Sequence, residues 1–124
     1  MDKGVRTFKS GATRSAEEGK LDYEGFLSPA VLKRYAEFLE EHRALEDGVL
    51  RASDNWQRGM PRKVWIKSLE RHYFDLWLLH RGFQGRSDAE RACCGVIFNA
   101  MGYLNELLRK RKAYRPTAGR KRGK

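Results

Sequence analysis

Residues 61–82, PRKVWIKSLERHYFDLWLLHRG, hold the pattern that sets the fold class. At about 100° per residue, Trp65, Leu69, His72, Leu76 and Leu79 fall on one stripe, with Ser68 and Asp75 on its flank. The spacing predicts a helix from about residue 61 to 80, stopped at Arg81-Gly82. Ile66, Tyr73, Phe74, Trp77 and Leu78 cover much of the remainder. A helix that is apolar on more than one side is central, or is covered on its outer side by a partner chain.

Two further helices flank it. Ser28 is a good N-cap and Pro29 suits a first helical position. Leu32, Tyr35, Ala36 and Leu39 then recur at i, i+3, i+4 and i+7, while Glu37, Glu40 and Glu41 lie off that stripe. This helix is expected to end before Asp47-Gly48. The third helix is expected over residues 87–112, with Ser87 as cap and Glu90 completing a capping box. Its stripe of Asp88, Gly95, Asn99, Gly102 and Glu106 is small and polar. Cys93, Ile97, Ala100, Met101, Leu104 and Leu108 lie opposite. Each helical glycine costs about 1 kcal/mol relative to alanine. Two of them imply that another helix, or a ligand, comes close.

Between the first two helices, residues 49–61 read as a loop. Trp56, within Asp54-Asn55-Trp56, is expected to plug the core or to form a pocket wall. Residues 1–27 are rich in Gly, Ser, Thr and charge, and read as an extended arm. Strand signals are weak. The expectation is therefore an all-α protein: a small bundle of about three main helices over residues 28–108, completed by homodimerisation.

A net charge of +10 points first to nucleic acid. Its location changes that reading. Nine of the 26 basic residues fall within residues 109–124 with no acid among them, leaving 17 basic against 16 acidic residues elsewhere. Such a run reads as a flexible basic tail, available for weak nucleic-acid contact. The only cysteines, Cys93 and Cys94, are adjacent in an apolar stretch, which suggests two small buried hydrophobes and a reducing cytoplasm. The opening MDKGVRTFKSG lacks the apolar core of a signal peptide, and no apolar run approaches a membrane span.

His72 and Asp75, spaced i, i+3, share one helix face. Such a pair ligates a divalent metal or acts as base and orienter; it also occurs as a core histidine with a carboxylate partner. Glu37, Glu40 and Glu41 form an ExxE pattern able to share Mg²⁺, or a solvated acidic face. Asn99 falls on the small-residue side of the third helix, where it orients a ligand or bridges two helices. His80 suits the negative end of the helix dipole. Arg14 and Lys20, among glycines in the arm, suit phosphate.

Four segments together carry a resemblance. They are FKSGATRSAEEGK (residues 8–20) followed by LSP, DNWQRGMP (54–61), SLERHYFDLWLLHRG (68–82) and ERACCGVIFNAMGYLNEL (90–107). The chain resembles a phage and prophage family similar to the N-terminal domain of dATP/dGTP diphosphohydrolases, among the MazG-like all-α nucleotide pyrophosphohydrolases. The resemblance spans roughly residues 5–108. It implies a helical, usually oligomeric fold and hydrolysis of a nucleoside triphosphate between its α- and β-phosphates, with Mg²⁺ or Mn²⁺. It implies an ExxE helix facing an ExxD helix around the metal. Glu37 and Glu40 would supply the first pair, and His72 with Asp75 the second, as HxxD in place of ExxD. Imidazole suits softer ions than Mg²⁺.

The leading expectation is a metal-dependent (deoxy)nucleoside triphosphate pyrophosphohydrolase. Glu37, Glu40, His72 and Asp75 would be its catalytic and metal-holding residues. Arg14, Lys20, Asn55, Trp56 and Asn99 would bind the nucleotide, with Trp56 stacked on the base. The HxxD departure motivates a second reading, a non-catalytic nucleotide binder. A third is a nucleic-acid-binding accessory protein acting through the tail.

Overall fold

The structure, a computed structural model, describes residues 4–111. All of the expected basic tail beyond Arg111 lies outside the described residues. The chain divides into two compact units, Met1–Leu32 and Lys33–Lys124.

The first unit corrects the expectation of an extended arm. Strand β1 (Val5–Thr7) pairs antiparallel with β2 (Thr13–Ser15), with Arg6 opposite Arg14. Phe8 N–H donates to the Ala12 carbonyl at 2.9 Å, and Gly11 turns the chain at φ +93°. That left-handed turn is where glycine is needed. A one-turn helix α1 (Tyr23–Phe26) follows, capped by Asp22, whose Oδ1 accepts from Gly25 N–H at 2.9 Å. Short strands without alternating apolar residues leave no strand period to read.

Helix α2 (Pro29–Glu41) begins as its cap residues predict: Ser28 Oγ accepts from Val31 N–H at 3.2 Å. It ends at Glu41, ahead of Asp47-Gly48 as expected. His42 N–H and Arg43 N–H turn back to the carbonyls of Leu39 and Glu40, tightening the last turn. The chain then doubles back through an Ala44–Leu50 bridge, with Arg51 N–H donating to the Arg43 carbonyl at 2.9 Å. The buried side chains of α2 are Tyr35 and Phe38, so Phe38 replaces the expected, exposed Ala36. A short 3₁₀ turn (Asn55–Arg58) leads to α3 (Arg62–His80), as long as its periodicity predicts, with His80 in its last turn.

Helix α4 (Ala89–Arg109) starts two residues later than expected. Asp88, not Ser87, is the cap: its Oδ1 accepts from Arg91 N–H at 2.8 Å. Glu90 completes no capping box and instead meets Arg34 at 2.7 Å. Arg91 bridges to Glu41 at 2.7 Å, so ion pairs tie the end of α2 to the start of α4.

The packing of α3 on α4 follows from the small stripe. Gly95 lies under His72 and Gly102 under Trp65; a Cβ at either glycine would run into the ring. Both pairs are seven residues apart, in opposite chain directions, so the two helices run antiparallel. Their close approach offsets the helix-propensity cost of both glycines. Ala92, Cys94, Gly95, Asn99, Gly102 and Asn105 are the buried residues of α4. Cys94 is buried as expected, whereas Cys93 is exposed. Tyr35, Phe38 and Cys94 form one cluster, flanked by Leu39, Phe98 and Met101.

On the outer side of α3, Ile66, Tyr73, Phe74 and Trp77 are exposed. No helix among the described residues is long and apolar enough to cross a membrane.

Candidate functional site

The second unit encloses a cavity of about 240 Å³ between the end of α2, residues 51–60, α3 and α4. Its apolar walls come from Phe38, Leu39, Trp56 and Phe98. His42, Ser68, His72 and Asn99 supply polar groups, and Arg43, Arg51, Ser53 and Asn55 add to the lining.

Trp56 answers both expectations for it, plug and wall. Its ring stands edge-on to Trp65 (centroids 6.4 Å apart) and to Phe98 (6.1 Å). Those aromatic edges fix the ring's plane. The segment carrying it is fastened to α4 through Glu106, whose Oε2 accepts from Met60 N–H at 2.9 Å and from Trp65 Nε1–H at 3.1 Å. Arg109 adds a donor to the Gln57 carbonyl. One carboxylate near the end of α4 therefore positions the wall.

His72 enters the cavity from α3 and rests on Gly95. Burial lowers its pKa from 6.5, helped by the positive charges of Arg86, Arg71 and His42, while Asp75 works in the opposite direction. The neutral ring is thus favoured at pH 7, with one nitrogen accepting and the other donating. The unfolded chain binds this proton more readily than the folded one. The resulting stability is fully present above pH 6.5 and is lost as the pH falls through the lower folded value. The melting temperature of the native protein should therefore drop more steeply than that of His72→Gln as the pH is lowered from about 7.5 to about 5. Parallel melting curves for the two proteins would contradict this.

Asp75 is buried beside the cavity, not in its wall. Its partner is Arg86, whose Nε lies 2.6 Å from Oδ2, and not His72. Glu37 is paired with Lys33 at 2.8 Å and Glu40 with Arg43 at 3.2 Å, both near the surface. Lys33 holds the Glu37 carboxyl below its usual range. As placed, Glu37, Glu40, His72 and Asp75 do not form one ligand set. Among the described residues, no group of three or more His, Cys, Asp or Glu side chains is arranged to hold a metal ion. Arg14 and Lys20 are exposed in the first unit.

The fold thus gathers Asn55, Trp56, His72 and Asn99 of the expected residues, together with Ser68. It adds His42, Arg43, Arg51 and Phe98, which sequence reasoning missed. His42 is oriented by its Nδ1, which donates to the Phe38 carbonyl at 2.9 Å. Phe38 and His42 lie one helical turn apart, so extending the apolar stripe to Phe38 was the signal that pointed there. Arg51 reaches the site only because the chain doubles back after α2.

No protein-family model, curated protein or solved structure matches the chain.

Proposed function

We propose that this protein binds a nucleotide, with the base in the cavity and the phosphates toward Arg43 and Arg51. The observation that carries this reading is one cavity that combines aromatic walls, the buried Asn99, the half-buried Ser68 and His72, and two arginines. Flat apolar walls suit a heteroaromatic ring, and guanidinium groups suit phosphate oxygens. The volume is about 240 Å³, smaller than sites of roughly 300–1,000 Å³ that enclose whole drug-sized ligands. A base with part of its sugar matches that size, which leaves the phosphates outside.

Calorimetric titration of the full chain with the four dNTPs tests the reading. At least one should bind, and Trp56→Ala should weaken it roughly tenfold or more, since stacking one base contributes about 1–3 kcal/mol. If none binds at millimolar concentration, the reading is wrong.

The pyrophosphohydrolase reading rests on the family resemblance and on His72 in the cavity wall. It requires Glu37, Glu40 and Asp75 to leave their basic partners and gather around a metal. Release of pyrophosphate from a bound dNTP with Mg²⁺ or Mn²⁺ would establish it. Binding without turnover would leave the protein a nucleotide binder.

Ile66, Tyr73, Phe74 and Trp77 support pairing of two copies through the outer side of α3, because exposed large apolar side chains grouped on one helix mark an interaction surface. Light scattering should return twice the chain mass, and Trp77→Glu should return the single chain. A monodisperse monomer for the native protein would exclude the dimer.

A further inference from the structure

Asn99 is only 3% exposed, and one of its two amide N–H groups is committed. Its Nδ2 donates to the Gly95 carbonyl at 2.7 Å. A carbonyl oxygen only accepts, so this bond fixes which end of the amide is nitrogen. Oδ1 is therefore a buried acceptor, and among the described residues no donor is bonded to it. The bond to Gly95, one turn back in α4, uses Nδ2 alone. A buried acceptor left unpaired carries its full desolvation penalty, so such atoms find a donor in a ligand or an ordered water. Asn99 lines the cavity together with Ser68, His72 and Phe98.

We infer that Asn99 is the base-recognising residue of the cavity, with Oδ1 accepting an N–H from the ring edge of a nucleobase. This rests on the nucleotide reading above. A sugar hydroxyl is the competing donor. The base is favoured because the walls nearby, Trp56 and Phe98, are flat and apolar, whereas Arg43 and Arg51 suit the phosphate end. The neutral His72 ring and the Ser68 hydroxyl line the same cavity and supply both donor and acceptor capacity. Every common base presents an edge N–H, so Asn99 distinguishes bases from look-alikes without that group. Choice among bases then falls to Ser68 and His72.

Titration of the full chain with dAMP, dGMP, dCMP, dTMP and 2-deoxyribose 5-phosphate tests this. The tightest of the four nucleotides is then compared with its analogue lacking edge N–H groups: purine for adenine or guanine, pyrimidin-2-one for cytosine, N3-methylthymine for thymine. The analogue should bind about tenfold more weakly, the size expected for one neutral hydrogen bond. Asn99→Leu should weaken the parent nucleotide by a similar factor and leave the analogue unchanged, as a double-mutant cycle requires. An analogue that binds as tightly as its parent overturns the inference while the nucleotide reading stands. So does an Asn99→Leu chain that weakens both ligands equally. Affinity for the sugar phosphate matching that of the nucleotides assigns the acceptor to the sugar and also overturns it. If neither these nucleotides nor the four dNTPs bind at millimolar concentration, the nucleotide reading fails first and the inference with it; where only the dNTPs bind, the same comparison is made with the triphosphates. Should Asn99→Leu lose its melting transition, the comparison on the unmodified chain decides.

Discussion

Trp65→Ala is expected to destabilise the protein by about 3–5 kcal/mol, the range for truncating a buried aromatic side chain. Trp65 is 1% exposed and is the largest fully buried side chain among the described residues. Its ring fills the niche that Gly102 leaves in α4 and stands edge-on to Phe98 with centroids 5.3 Å apart. Truncation empties that niche, removes two aromatic edge contacts and leaves Glu106 with Met60 N–H and no indole donor. A domain of this size has a total stability of roughly 5–15 kcal/mol, so the variant retains little margin. Urea unfolding should show a lower midpoint at an unchanged slope. Trp65→Phe should cost less because it keeps most of the ring volume. A loss under about 1 kcal/mol for the alanine variant would mean that α3 and α4 do not pack as described. If the protein binds a nucleotide as proposed, the same change should weaken that binding, because Trp56 loses the ring that stands edge-on to it.

Arg86→Ala is expected to cost about 2 kcal/mol, less than for a fully buried ion pair because one partner is screened by water. The Asp75 side chain is 8% exposed and that of Arg86 58%. Removing the arginine leaves a buried carboxylate without its cation. The asymmetry gives a clean control. In an Asp75→Asn background the buried charge is gone, so Arg86→Ala should then cost almost nothing. Equal losses in both backgrounds would show that Arg86 acts through packing instead. The change also reaches the cavity. Arg86 is among the charges that lower the His72 pKa, so its loss should raise that pKa, readable by following the imidazole resonance with pH.

These two residues mark where sequence reasoning stops. Periodicity placed Trp65, Ser68, His72 and Asp75 on one side of α3, and the structure buries that side. Ser28 and Pro29 marked the start of α2. Gly95 and Gly102 announced a close approach, and two rings of α3 make it. Each of these is a local property: a cap, a 3.6-residue period, a missing Cβ. Partner choice was not legible. His72 and Asp75 share a helix face, yet Asp75 turns to Arg86, eleven residues on and past the end of α3. Glu106 looked like one more polar residue on a small stripe, and it fastens Met60 and Trp65 instead.

The amino-acid sequence by itself determined the three long helices, the inward side of α3 and the small-residue stripe that lets α3 and α4 meet. The tertiary structure alone decided which polar groups find each other and that His42, Arg43 and Arg51 join Trp56, His72 and Asn99 around one cavity. The physical reason is that a helical period reports only a direction around an axis. Contacts between elements depend on the path of the chain between them, here the end of α2 and the turn back to Arg51.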